Sequence, residues 1–391
     1  MSDTRKTTKP NVPNLRFPGF SGEWASRRIG EDCTVNMCKR IFANQTSEQG
    51  DVPFFKIGTI GGTPDAYITR DLFEEYKAKY NYPHEGEVMI TCAGTVGKTI
   101  VFDGEDAYFQ DSNIVWLSNP KQLYINSFLN YVLSRVNWNK LNSTTITRIY
   151  NDNLRELVIN YPSIKEQEKI VALLSLLDRR IAIQNKVIED LKKLKTALEE
   201  RMLGQCQGKQ VRLRDILIER VEKSRINNQY EVLSSTVSGI YSQREYFNKE
   251  IASADNTGYK AIHRGDVVLS PQNLWMGNIN YNDRFEIGIV SPSYKVFSID
   301  EKFDKGYIAF LLKTRKALWA YSLVSEQGAS IVRRNLNYES FLEISFVIPY
   351  LKDQQATARR LSAFQQKQTM EEAFLRSLLL QKEFMLKSLF I

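Results

Sequence analysis

The sequence predicts an α+β chain: two repeated, β-rich mixed domains separated by two long antiparallel coiled-coil helices, in a pseudo-twofold arrangement. Three observations predict it. The string Tyr161-Pro162-Ser163-Ile164-Lys165-Glu166-Gln167 recurs as Ile348-Pro349-Tyr350-Leu351-Lys352-Asp353-Gln354, with Pro349 standing 187 residues beyond Pro162. A period that long is two copies of a domain plus a spacer, not a solenoid unit. Each string opens a stretch with apolar residues at helical spacing. Each is preceded by about 150 residues of short alternating segments punctuated by turn glycines, a strand-and-turn pattern. A chain of 391 residues is also long for one core. The expected bounds are a flexible basic tail over 1–14, a first domain over 15–162, a spacer helix over 163–204, a second domain over 205–350 and a second spacer helix over 351–391.

The two halves align element by element. Each begins with a short amphipathic segment, Trp24 to Ile29 and Val211 to Ile216. A β-prone stretch follows, Phe54 to Ile60 against Tyr230 to Thr236. Next come His84-Glu85-Gly86-Glu87-Val88-Met89-Ile90 and His263-Arg264-Gly265-Asp266-Val267-Val268-Leu269, each read as a turn leading into a buried strand. A second turn glycine, Gly97 or Gly277, comes after. Asn113 to Leu117 matches Tyr294 to Ser298, and then Ile125 to Val136 and Lys305 to Leu318 carry helical periodicity. A polar, basic stretch, Ser143 to Arg148 or Ser330 to Asn335, leads to a last strand, Leu157 to Tyr161 or Ile344 to Ile348.

The helices are the clearest elements. Ser163 and Glu166 have the spacing of a capping box, in which a hydroxyl and a carboxylate satisfy each other's backbone N–H; Tyr350 stands at the corresponding cap of the second helix. Leu177, Ile181, Ile188, Leu191 and Leu198 in the first helix, and Phe364, Leu375, Leu378 and Met385 in the second, fall at spacings of a coiled-coil seam. The other reading is a pair of amphipathic helices, each lying on its own domain. A helix of this length runs about 50–60 Å. Two heads on such a rod would reach DNA sites about a helical turn apart, and because the heads differ, the two sites should differ.

Composition narrows the function classes. The chain is 42% hydrophobic and 25% charged, as in a soluble globular protein, and no apolar run approaches the roughly 20 residues of a membrane span. Met1 to Asn14 is polar and basic, with no apolar segment of a signal peptide. Cys33, Cys38, Cys92 and Cys206 lack CxxC spacing and are expected as free thiols of a cytoplasmic protein. The two histidines, His84 and His263, occupy one repeat position and are expected to be structural turn residues; with so few ligand candidates no metal site is expected. The net charge of +8 is compatible with a nucleic-acid partner.

Catalytic motifs do not assemble. Cys92-Ala93-Gly94-Thr95-Val96-Gly97-Lys98-Thr99 approaches a phosphate-binding loop, but Cys92 stands where the pattern needs glycine and Ile100-Val101-Phe102 continues as strand where a helix is required. The repeat has no Lys-Thr after Gly277. Ile57 to Gly62 is not a dinucleotide fingerprint, and no Asn-Pro-Pro-Tyr type string is present to hold a flipped adenine.

The chain resembles the specificity (S) subunit of Type I restriction-modification enzymes over nearly its whole length. Asn14-Leu15-Arg16-Phe17-Pro18-Gly19-Phe20 with Glu23-Trp24 is similar to the start of many members. Pro162, Glu166 and Gln167, repeated as Pro349, Asp353 and Gln354, resemble the family's domain-to-spacer junction, with Asp353 replacing Glu and Tyr350 a small cap. The resemblance implies two target recognition domains, each reading half of a bipartite site on double-stranded DNA, and an antiparallel helical spacer. It implies docking of two modification (methyltransferase) subunits and of restriction-translocase subunits. It implies no catalysis on this chain, with S-adenosylmethionine, ATP and Mg on the partners.

Base readout needs paired donors and acceptors, and phosphate contact needs cations and hydroxyls. The expected DNA-contacting set is Lys56, Thr59, Thr91, Thr95, Lys98, Thr144, Thr145 and Arg148 in the first domain. In the second it is Ser234, Thr236, Gln272, Asn273, Trp275, Ser330, Arg333 and Arg334. Each is also explained as ordinary loop. Two rival functions differ in class: a nucleotide-using enzyme built on Gly94 to Thr99, which would lose ATP affinity on Lys98→Ala, and a coiled-coil adaptor without sequence readout.

Overall fold

The computed structural model describes residues 10–140, 148–204, 207–247, 255–327 and 333–391. The chain folds as two compact units: Met1–Ile183 with Leu375–Ile391, and Gln184–Phe374. Each unit holds one β-rich domain and a length of both long helices.

In the first unit a four-stranded antiparallel sheet runs in the order Thr34–Met37, Ile114–Ser118, Val88–Thr91, Thr99–Val101. Side chains alternate across it, as a period of two requires. Val88, Ile90, Val115 and Leu117 join a core with Trp24, Phe128 and Leu129. Met89, Ile114 and Trp116 join a second core with Val52, Phe54, Phe73 and Tyr108. That is why Val88–Thr91 is buried throughout, each fully buried large side chain contributing about 1.5–3 kcal/mol. The second core sits under a smaller sheet in which Val52–Phe55 pairs antiparallel with Tyr67–Ile68 and parallel with Tyr108–Phe109.

The second unit repeats the plan. Its four-stranded sheet runs Leu217–Glu219, Lys295–Ile299, Asp266–Leu269, Ile279–Tyr281. Val267, Leu269, Phe297 and Ile299 face one core, and Val268 and Val296 the other. In both units the domain closes on itself: Ala25–Arg28 pairs with Val158–Tyr161, starting at Ala25 opposite Tyr161, and Lys209–Arg212 pairs with Ser345–Ile348, starting at Lys209 opposite Ile348.

The helices span Ile164–Gly204 and Leu351–Ser388. No proline or internal glycine interrupts either, and Gly204 ends the first, as glycine commonly does. In the first unit Lys382 binds Asp178, whose other oxygen takes the Tyr131 hydroxyl at 2.7 Å. In the second unit Gln184 donates to the backbone oxygen of Glu371 at 3.0 Å, and Lys195 donates to Gln365, so the helices run antiparallel there. Leu177, Ile188 and Leu378 are buried; Ile181, Leu191, Leu198, Phe364, Leu375 and Met385 are half-buried. Val187, Leu194 and Phe374, at helical spacing too, face solvent.

Several expectations need correction. The capping box is replaced: both Glu166 oxygens are taken by Arg16, from Nε and Nη2 at 2.8 Å each. A bidentate charge-assisted pair outcompetes a single bond to a backbone N–H. The β-prone stretch from Phe54 ends as strand at Phe55, because Lys56 to Gly62 folds into tight turns closed by Thr59 and Ile60 N–H groups on the Lys56 carbonyl, both at 3.0 Å. The periodic run Lys305 to Leu318 breaks into Lys305–Leu311 and Arg315–Leu323, since Thr314 caps the second helix on the Ala317 N–H at 3.2 Å. The tail expected over 1–14 is tied down within those bounds: the Asn11 side-chain amide donates to Trp24 O at 2.7 Å, and the Asn11 backbone oxygen accepts the Trp24 N–H at 2.8 Å. Leu15 N–H bonds Ser388 O at 2.8 Å.

Candidate nucleic-acid interface

In the first domain the turn between Val88–Thr91 and Thr99–Val101 is built around Thr91. Its hydroxyl donates to Thr95 O and accepts the Lys98 N–H at 3.1 Å. Gly97 adopts φ +82°, and a Cβ there would lie 2.0 Å from Trp138, so only glycine fits. A second loop, 56–62, lies against this turn. A Cβ on Gly94 would lie 2.7 Å from Ile57, and the Lys98 ammonium donates to Ile60 O. Lys56 pairs with Asp65 at 3.0 Å, and its N–H is accepted by the Thr59 hydroxyl at 3.0 Å. Arg148 reaches the same cluster because Ile149 N–H bonds Cys92 O at 2.8 Å; its guanidinium donates to Ser112 O at 3.4 Å and lies over Tyr150.

The second domain assembles the equivalent region with different residues. After Asp266–Leu269 the chain makes a 3-10 turn, Pro271–Met276, ending at Gly277 with φ +89°. Gln272 is exposed on it, and the Arg334 guanidinium stacks 4.2 Å over the Trp275 ring, a geometry favoured by the ring's negative face. The structure thus brings together Gln272, Asn273 and Trp275 with Arg334 and its exposed neighbour Arg333. The hairpin Leu233–Thr236 to Gly239–Ser242 lies alongside. Lys313 ties the two together, donating to Gly277 O at 2.8 Å and to Val237 O at 3.2 Å. Desolvation of that ammonium lowers its pKa to about 8, although the residue as a whole is exposed.

Two expected DNA contacts are structural instead. Thr91 is wholly buried with its hydroxyl spent in the turn. Ser234 is buried and accepts from Gln243 at 3.1 Å. Thr236 stays at the surface but closes its own hairpin on Gly239 O at 3.1 Å. Thr144, Thr145 and Ser330, like Cys206, lie outside the described residues. The near phosphate loop runs into the strand Thr99–Val101. Burial raises the thiols of Cys33, Cys38 and Cys92 to about 12, well above a reactive range.

The histidine turns are satisfied by neither imidazole. In each, a buried carboxylate three residues on accepts the histidine's backbone N–H at 2.8 Å, Glu87 for His84 and Asp266 for His263. The sequence argument named Gln167 and Gln354 as junction residues but not what they bond. Gln167 accepts Ile125 N–H at 2.8 Å and donates to Pro162 O at 3.0 Å; Gln354 accepts Asp304 N–H at 2.9 Å and donates to Pro349 O at 2.8 Å. Each glutamine locks the start of a long helix to the start of a domain helix. The signal was a glutamine five residues after the proline in both copies.

The two heads therefore share a four-stranded sheet order and carry turns of different polar content at the same place. Residues 21–193 match the family model described as Type I restriction modification DNA specificity domain. A Haemophilus influenzae protein provisionally named a type I restriction enzyme specificity subunit is 48% identical over 163 residues, 42% of this chain and 42% of that protein. The match therefore spans less than half the length of that relative. Along its whole length the chain has the fold of a crystal structure of a Type I restriction-modification S subunit from M. genitalium, with TM-score 0.61 and 18% identity, covering 97% of this chain and 99% of that one. A chain from a structural study of type I restriction-modification complex assembly and conformational transition aligns with TM-score 0.53 and 13% identity, covering 96% and 98%. Residues 21–193 are thus similar to a Type I DNA specificity domain, and the whole chain shares its fold with the M. genitalium S subunit.

Proposed function

We propose that this chain is the DNA sequence-specificity subunit of a Type I restriction-modification complex. One observation carries the proposal: the four-stranded sheet has the same strand order in both heads, while beside the same turn one head places Thr95 and Arg148 and the other Gln272, Trp275 and Arg334. A shared frame with different readers suits an asymmetric bipartite site on double-stranded DNA, one half per head. The long helices fix the gap between the halves. The chain performs no chemistry itself; two modification subunits supply methylation with S-adenosylmethionine, and restriction-translocase subunits use ATP and Mg.

The test is methylation mapping in cells that express the subunit with its modification subunits. Exchanging residues 209–349 for those of a relative should change one half of the methylated motif and leave the other. An unchanged motif in an assembled complex would sink the proposal and favour an adaptor without sequence readout.

A further inference from the structure

Lys98 and Asn278 occupy the same repeat position, the residue after the turn glycine. Lys98 reaches across to the neighbouring loop, and Asn278 to the neighbouring hairpin strand Leu233–Thr236. Lys98 is held at both ends: its backbone N–H by Thr91 and its ammonium by Ile60 O. A Cβ on Gly61, at φ +69°, would lie 3.1 Å from Ile100 and within 4 Å of the Lys98 stem, so the two loops are packed as well as bonded. Asn278 is buried. It accepts the Ser235 hydroxyl at 2.7 Å and donates to Ser235 O at 3.0 Å, while Asn280 donates to the Ser235 hydroxyl and to Thr236 O, both at 2.7 Å. Lysine and asparagine share little chemistry beyond an N–H that can reach a carbonyl, and that is what both positions use.

We propose that Lys98 and Asn278 are positioning residues for sequence readout, Lys98 clasping its turn to the adjacent loop and Asn278 clasping its turn to the adjacent hairpin, so that each fixes the spacing of the segments that meet the bases. The inference rests on these loops being the DNA-reading surface. It explains a lysine in a loop that resembles a phosphate cradle without being one. A displaced loop misplaces its donors and acceptors, and base discrimination depends on that geometry, whereas affinity from phosphate contacts does not.

The experiment uses the full chain assembled with its modification subunits, with methylation rates measured on duplexes that vary one base at a time. Lys98→Met should lower discrimination in the first half-site by about tenfold, on the order of one mismatch, and leave the second intact. Lys98→Arg, which still reaches Ile60 O, should retain it. Asn278→Ala should show the opposite pattern, with melting curves recorded because Asn278 is buried; Lys98 is exposed, so its arm stands if that variant fails to fold. Unchanged discrimination in Lys98→Met would overturn the proposal, as would loss in both half-sites together. A uniform loss of affinity over all sequences, with a shallower salt dependence, would make Lys98 a phosphate contact and also overturn it. Replacing residues 15–162 by a relative's separates the two ideas: if that leaves the motif unchanged, the DNA-reading assignment is what fails.

Discussion

The side-chain carbonyl of Gln354 accepts the Asp304 N–H at 2.9 Å while its amide donates to Pro349 O at 2.8 Å. Gln354 is buried, so water cannot replace either bond. Gln354→Leu should therefore leave two polar groups unpaired and cost about 2 kcal/mol or more, since an unmet buried group costs about 1–3 kcal/mol. Urea unfolding should show the midpoint moving down. Gln167→Leu should behave alike, for the same bonds to Ile125 and Pro162.

Asp32 sets an acid limit. Burial opposes its charge, but the Tyr124 hydroxyl at 2.8 Å, Lys121 at 3.1 Å and Arg27 at 3.5 Å outweigh that and hold it below the usual carboxylate value. A depressed folded pKa contributes stability that is present above the unfolded value, about 3.9, and lost as pH falls through the folded value. The expected result is that Asp32→Asn is less stable than the parent near neutrality and that the gap narrows below about pH 4. Thermal melts across that range check it; a gap that stays constant would show that Asp32 is not the titrating group.

Arg334 on Trp275 is the strongest single candidate for base contact in the second head. Arg334→Ala should weaken binding to the cognate site by about tenfold or more, the worth of one good bidentate base contact, and relax only the second half-site. Lys at 334 should not restore discrimination, because it has no planar group to stack. Equilibrium binding of the assembled complex to cognate and singly substituted duplexes measures both.

Removing one heptad within 177–198 shortens the helix by about 10 Å. The tolerated gap between half-sites should contract by about three base pairs at 3.4 Å per pair. Methylation of a set of duplexes with graded gaps reads this directly; an unchanged optimum in an assembled complex would mean that the helices do not set the gap.

The frame was legible because it is written twice. The paired strands, the buried Val88 and Val267 strands and both helices follow from alternation and spacing, which are backbone periodicities. The failures were competitions that spacing does not express. Glu166 sits in a capping box on paper, but Arg16, 150 residues away, offers a better bond. Thr91 and Ser234 look like polar loop residues until the turn folds inward and spends their hydroxyls. The clasp by Lys98 and Asn278 needed the three-dimensional approach of two segments, which no local pattern encodes.

Each head begins and finishes on neighbouring strands, Ala25 opposite Tyr161 and Lys209 opposite Ile348. For a genome, this makes a head a cassette. Two crossovers, one in the codons of each paired strand, replace everything between them while the ladder at the base keeps its register. On the proposed reading, new specificities would then arise by recombination in a single step, with the paired helices left as they are.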